Sequence, residues 1–566
     1  MSTNQNYPVE FYETLRDVYR TGAANHGDAI AFMQKENGSY QGYSYARFAK
    51  DVDRLGTALC AKGLKGKHIL LMGESCYRWI LSYMAVICGV GVIVPVDHTL
   101  SAEALADLAQ KADATAILYS DKQEATVAAL DPAIERLPFS SLDAHLAEGK
   151  RLIKRGCVDY TDAPIDPNAM SAILFTSGTA GSIKGVMLSH ANICFNLSEM
   201  CSMVRIQSDD VFLSILPLHH TFECTCGVLV PLSKGATVAF AESLRRMMQN
   251  MQEVHPTIIN CVPMFMETIY RKLWANIRKQ ELEKRVRSLI KMTNALRPER
   301  VRLLAKRKAF AAVYKSFGGK LRAMISCGAA VNPEVVGGLR DFGIKAIQSY
   351  GLTECAPLAA INRDTARNDK SAGTSTPNGL LDIYDLQNDG TGEIRYKGKN
   401  VMLGYYKKPE LTQKVLRDGW LYTGDLGYLD ENGCLYVTGR KRNVINKGSG
   451  KQVYPEELEL LLLANPYVKD SVVIGKFNEA KKDNDVVAII LPDIPRIIET
   501  HGRNYTEAQL EAELKRRSPT STLPFPHTSA SNPIFFVARN SQRTPPARST
   551  ALPSLRNTPN RNNPLP

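Results

Sequence analysis

Long uninterrupted hydrophobic runs are missing from this 566-residue sequence. Its most apolar window, Trp79 to Pro95, is broken by Gly89 and Gly91, which predicts a buried helix and then a buried strand in place of a membrane span. The opening Met1-Ser-Thr-Asn-Gln-Asn-Tyr-Pro8 lacks a basic stretch followed by an apolar core, so no secretory signal and a cytoplasmic location are expected. None of the twelve cysteines forms a C-x-x-C pair, and most sit in apolar surroundings such as Ile87-Cys88-Gly89, which predicts reduced, buried thiols. Cys224 and Cys226 lie near His219 and His220 at no zinc-ligand spacing, so core packing is expected there.

The chain is long enough for several domains, and 44% hydrophobic with 22% charged residues is ordinary globular composition. The formal charge of +13 comes largely from Arg271 to Arg322. Leu282, Val286, Leu289 and Ile290 recur there at helical spacing, so the charge reads as the solvated face of amphipathic helices, with weak attraction to an anionic membrane surface as the functional alternative. No nucleic-acid motif accompanies it, and nucleic acid is not an expected partner.

From Tyr43 to Asp121, helical segments such as Arg47 to Lys62 alternate with the apolar runs Ile69–Met72, Val92–Pro95 and Ala116–Tyr119. The alternation resumes with Phe212–Leu216, Thr237–Phe240, Thr257–Asn260, Ala323–Ser326 and Ala346–Gln348, which predicts layered, mostly parallel sheets of an α/β fold. Between about Leu380 and Asp430, turns such as Asn388-Asp-Gly390 predict a small β unit. Beyond Gly439-Arg440, a helix over Pro455–Leu463 and strands over Ser471–Ile474 and Val486–Leu491 predict a small α+β domain.

One loop stands out, Phe175-Thr-Ser-Gly-Thr-Ala-Gly-Ser-Ile-Lys-Gly-Val186. Gly178, Gly181 and Gly185 permit backbone N–H groups to approach an anion, Thr176, Ser177 and Thr179 add hydroxyl donors, and Lys184 adds charge. A P-loop is excluded, because Lys184 is followed by Gly185 and strand-like Val186-Met-Leu188 where a P-loop needs Ser or Thr opening a helix. Alone, the loop leaves phosphate binding and a flexible surface turn open.

Its companions are Gln348-Ser-Tyr-Gly-Leu-Thr-Glu354, Tyr422-Thr-Gly-Asp425, Gly439-Arg440 and Ser326-Cys-Gly-Ala-Ala330. Taken along the chain with the opening loop, over roughly residues 8 to 517, they resemble, in the family's order, the adenylate-forming superfamily of acyl-CoA synthetases, adenylation domains and luciferases. One departure is Ile183, where proline is usual before the lysine. Leu216-Pro-Leu-His-His-Thr-Phe-Glu223, the basic helical insert and Asn446 to Glu457 most resemble bacterial long-chain fatty acyl-CoA synthetases.

That resemblance implies an ATP-dependent acid–thiol ligase that activates a long-chain fatty acid as its adenylate and passes it to coenzyme A. ATP, Mg2+ and coenzyme A are the implied cofactors and co-substrates. Thr353, Glu354, Lys184 and His220 would be catalytic, with Glu354 holding Mg2+, Thr353 at the α-phosphate and His220 near the acyl carboxylate or the tunnel gate. Thr176, Ser177, Gly178, Thr179, Gly181, Gly328, Tyr350, Asp425 and Arg440 would bind nucleotide, Tyr350 stacking on adenine and Asp425 accepting from the ribose hydroxyls. An aryl acid, an acyl carrier protein as acceptor, peripheral membrane contact, and a nucleotide- or acyl-binding protein without turnover remain open.

The implied organisation is a large AMP-binding domain over 1–438, a hinge at 439–442 with Arg442 at its pivot, a partial mobile C-terminal domain over 443–517, and an aberrant tail over 518–566. The family's small domain ends on a lysine that reaches the α-phosphate, yet no lysine follows Lys515. Residues 518–566 hold ten prolines, five arginines and no Asp, Glu or Lys, a disorder-like composition. A reading-frame shift at Ser518 is one expected cause, since synonymous codons read two bases later can spell a string resembling the missing ending, its lysine encoded across Ala547 and Arg548. A natural divergent tail is the other. Either way the fold is expected to stop near Arg517, and adenylation to be impaired.

Overall fold

The computed structural model describes residues 6–176, 183–365, 368–388, 390–447, 452–463, 465, 467–479, 482–502 and 534–538. Two compact units divide between Val444 and Ile445, just beyond the expected hinge.

Two large sheets organise the first unit. The seven-stranded sheet runs, in spatial order, 404–405, 184–189, 170–176, 91–96, 67–72, 114–119, 135–138, with its last five strands parallel. Ile69, Leu70, Leu71 and Met72 are all fully buried, as expected of a parallel strand covered on both faces. The glycines that break the apolar window have a structural use. Gly89 adopts φ +141° where the helix after Tyr77 ends, and a Cβ on Gly91 would lie 2.1 Å from the Lys67 carbonyl of the neighbouring strand.

The nine-stranded sheet is ordered 374–375, 358–361, 345–351, 323–326, 258–261, 211–214, 237–240, 30–36, 39–44, with six parallel strands in the centre. The expected strand over Phe212–Leu216 ends at Ser214, and that over Ala346–Gln348 extends to Lys345–Gly351. Between 380 and 440 the chain forms a five-stranded antiparallel unit.

The helix Leu15–His26, capped reciprocally by Thr14 and Asp17, carries Arg16 into the interior. The Arg16 guanidinium donates to the carbonyls of Ala163, Cys88 and Tyr160, tying three chain segments together. Nearby His190 accepts from the Leu15 amide through Nδ1 at 3.1 Å, so Nε2 carries the proton and donates to the Ile87 carbonyl at 2.9 Å. Burial holds His190 neutral, its pKa lowered to about 4.

The basic stretch forms helices Pro263–Lys279, Glu283–Asn294, Glu299–Ala309 and Ala311–Ser316. Val286, Leu289 and Ile290 pack against a core containing Trp274, Phe310 and Phe342, whereas Leu282 is exposed. Among the described residues, no helix is long and apolar enough to cross a membrane. Cys224 and Cys226 are buried in the main core.

In the second unit, Pro455–Leu463 is helical as expected, packed on antiparallel strands Val468–Asn478 and Asp483–Pro492. Ile534–Ala538 forms a third strand, parallel to Asp483–Pro492. Part of the region past Arg517 thus carries regular structure where its composition suggested none. The segment Ile-Phe-Phe-Val-Ala is its most β-prone stretch, and local β propensity outweighs the proline-rich average.

Candidate active site

Parallel strands place their loops at a common carboxyl edge, where α/β sheets bind ligands. Strand Lys345–Gly351 carries Tyr350 to that edge and continues into a short 3₁₀ turn, Thr353–Cys355, bearing Glu354. Two buried asparagines hold the turn. Asn196 Nδ2 donates to the Cys355 carbonyl at 2.8 Å, and Asn400 Nδ2 donates to the carbonyls of Cys355 and Leu358, both at 2.7 Å. Glu354 is therefore presented by backbone anchored from two other segments.

The base of the glycine-rich loop reaches the same point. Thr176 ends one strand opposite Lys184, which opens the next. Lys184 Nζ lies 5.0 Å from the centre of the Tyr405 ring, and the Tyr405 hydroxyl donates to Glu354 Oε1 at 2.8 Å. Tyr405 thus links the lysine to the acid. Ser177, Gly178, Thr179 and Gly181 lie outside the described residues.

A second chain of contacts joins the nucleotide candidates. Tyr350 donates its hydroxyl hydrogen to Asp425 Oδ2 at 2.7 Å, and Arg440 Nε lies 3.3 Å from Asp425 Oδ1. Asp425 and Arg440 face one another across adjacent antiparallel strands, so register alone pairs them. Asp425 is buried and Arg440 half exposed, which sets a carboxylate with two acceptor oxygens in the interior beside a cation at the rim. Burial, then the Asp425 charge, pushes the Tyr350 phenol well above its ordinary pKa, so it acts as a donor. Gly328 follows strand Ala323–Ser326 with φ +96° and open space around it. That conformation suits glycine and brings bare backbone to the edge.

His220 lies outside both chains, after strand Val211–Ser214, with its ring 4.2 Å from that of His219. Burial and the neighbouring His220 lower the His219 pKa to about 4, and burial also lowers that of His220, although its side chain reaches solvent. Both imidazoles are neutral acceptors at neutral pH.

Sequence reasoning missed Tyr405, Asn196 and Asn400, which sit in no motif; a buried asparagine leaves no periodic trace. It also missed Glu223. This carboxyl is only 1% exposed, has no hydrogen-bond partner at either oxygen, and is pushed by burial up to about 8. The Ser214 hydroxyl and the Ile215 and Leu216 amides lie close enough to temper that shift without meeting hydrogen-bond geometry. Gly227 faces it one helical turn on, where a Cβ would lie 2.7 Å from Oε2.

A layered α/β unit in which Lys184, Tyr405 and Glu354 meet and Asp425 pairs with Tyr350 and Arg440 has the arrangement that the resemblance to adenylate-forming enzymes implies. The profile of the AMP-binding enzyme family matches residues 19–406, and the chain belongs to that family. It is 30% identical over 85% of its length to long-chain-fatty-acid–CoA ligase 5 of Rattus norvegicus, covering 75% of that protein. Long-chain-fatty-acid–CoA ligase 1 of Homo sapiens is 28% identical over 86% of this chain and 75% of its own length. Among solved structures, ATP-bound MatB from Rhodopseudomonas palustris superposes with a TM-score of 0.72 at 23% identity, covering 94% of this chain and 96% of that one. A Mycobacterium tuberculosis fatty acyl CoA synthetase gives 0.64 at 19% identity over 93% and 94%. These structures share the fold.

Proposed function

We propose that the chain is an AMP-forming ligase that activates a long-chain fatty acid with ATP and transfers it to coenzyme A. The observation that carries this reading is the meeting of Lys184, Tyr405 and Glu354 beside Tyr350, Asp425 and Arg440, in a chain aligned over most of its length with long-chain-fatty-acid–CoA ligases.

A carboxylate is a poor acyl donor and must attack the α-phosphate of ATP, expelling pyrophosphate and leaving a mixed anhydride for a thiol to open. Two anions have to be brought together in line. Asp425 and Arg440 hold the ribose, Tyr350 lies along the adenine, and Thr353 contacts the α-phosphate. Lys184 offsets charge on the departing pyrophosphate. The Glu354 carboxylate is an oxygen donor of the kind Mg2+ takes together with phosphates and water, with Tyr405 fixing its orientation. When bound, Mg2+ supplies neutralisation of the phosphate charge. His220 orients the acyl carboxylate.

The finer partners belong to the same proposal. Residues 283–308 hold ten Lys or Arg against two Glu, and the exposed Met292, Val301 and Leu304 sit among them. That surface suits peripheral contact with an anionic membrane, from which a fatty acid is drawn. Coenzyme A is the favoured acceptor over an acyl carrier protein. Residues 439–442 serve as hinge to a mobile small domain, and Arg442, exposed on a short 3₁₀ turn, is its pivot.

Palmitate-dependent exchange of pyrophosphate into ATP, followed by thioester formation on adding coenzyme A, tests the reading. A panel of acids that supports neither reaction, with ATP binding intact, would favour a binding protein without turnover. Arg442→Pro is expected to slow thioester formation more than exchange; equal loss of both argues against the hinge.

A further inference from the structure

We propose that Asp97, His98 and His219 form a site for one divalent transition-metal ion of the zinc class, separate from the Mg2+ that accompanies ATP. Asp97 and His98 follow strand Gly91–Val96 of the seven-stranded sheet, and His219 follows strand Val211–Ser214 of the nine-stranded sheet. Packing of the two sheets brings together groups 121 residues apart in sequence, counted from His98 to His219. One ligand atom from each residue lies within 4.8 Å of the other two. Asp97 Oδ1 is 3.8 Å from His98 Nδ1, and Asp97 Oδ2 is 3.8 Å from His219 Nε2.

The spacing fits a metal better than it fits direct pairing. At 3.8 Å no hydrogen bond joins the carboxylate to either ring. Atoms so spaced leave a centre roughly 2.2–2.8 Å from each, so shifts below about an ångström reach the roughly 2.0–2.2 Å bonds that zinc makes to His and Asp. His98 Nδ1 is buried without a hydrogen-bond partner, as a nitrogen kept for an absent ligand would be. The carboxylate is already oriented, since both the amide and the hydroxyl of Thr99 donate to Asp97 Oδ1 at 2.8 Å.

Two imidazoles and one carboxylate favour zinc, cobalt or nickel over Mg2+, which prefers an all-oxygen shell. Side-chain exposures of 41%, 31% and 11% for Asp97, His98 and His219 leave an entry path and room for solvent ligands. A bound ion would staple the carboxyl edges of two sheets and, through the tilted contact between the rings of His219 and His220, fix the loop that carries His220.

Titration of the chelator-stripped full-length chain with Co2+, read by its visible ligand-field absorption, tests this. One saturable equivalent per chain is expected, displaced by Zn2+ and untouched by excess Mg2+. Thr99→Val should weaken Co2+ by roughly tenfold, and His98→Ala or His219→Ala by more than the roughly 10- to 100-fold typical of an outer-shell loss. Zn2+ should raise the melting temperature of the parent chain and not that of the His98→Ala chain. Should an alanine variant fail to fold by circular dichroism, Asp97→Asn, which preserves volume, takes its place. Absence of a saturable band, or equal affinity in folded His98→Ala or Asp97→Asn protein, overturns the proposal.

Discussion

Replacing Glu223 by glutamine should flatten the pH dependence of stability. The Glu223 carboxyl is buried, lacks hydrogen-bond partners and titrates at about 8 in the fold, against an ordinary value of 4.5. Between those values the unfolded chain has released the proton that the folded chain retains. Stability therefore falls as pH rises from about 4.5 and levels off above about 8, at about 1.4 kcal/mol per pH unit. Over pH 5 to 8 the loss is on the order of 4 kcal/mol. Glutamine has nearly the same shape and no such titration. Denaturant unfolding of parent and E223Q chains at pH 5, 6, 7 and 8 is the assay. The E223Q chain should gain on the parent by about 1.4 kcal/mol per unit, a lead that thermal melting should also register. Superimposable pH profiles would mean that the carboxyl is already ionised in the fold, and would refute the argument from burial.

Tyr405→Phe keeps the ring beside Lys184 and removes the donor to Glu354, so pyrophosphate exchange should fall about tenfold while ATP binding holds, given about 1.5 kcal/mol for a charge-assisted bond. An unchanged rate and Mg2+ dependence would remove Tyr405 from the site. Asp425→Asn retains shape and loses the charge facing Arg440, and ATP affinity measured calorimetrically should drop by roughly 10- to 100-fold. Arg16→Met removes the donor from three carbonyls, two of them in buried bonds, and should cost on the order of 3 kcal/mol in stability, with Km values for ATP and acid unaltered in the folded fraction.

Much of the fold was legible in the sequence because its strands are local. Thr237–Phe240, Ala323–Ser326 and Pro455–Leu463 end where their apolar patterns end. Other boundaries moved under tertiary influence. The run Phe212–Leu216 leaves the sheet at Ser214, opposite Phe240, where the neighbouring strand Thr237–Phe240 also ends. Ile534–Ala538 pairs where bulk composition predicted no element, since five β-prone residues suffice once an open strand edge is available.

By itself the sequence determined the alternation of helix and strand, the glycines that end a helix or admit a neighbouring strand, and the residue types an adenylating site requires. These follow from periodicity and from chemistry carried within a few consecutive residues. Only the tertiary structure decided that Tyr405 joins Lys184 to Glu354, that strand register sets Arg440 against Asp425, that Glu223 is sealed from water, and that His98 and His219 come to share Asp97. Each of those depends on the packing of segments far apart in the chain, and distance in sequence carries no signal of contact in space.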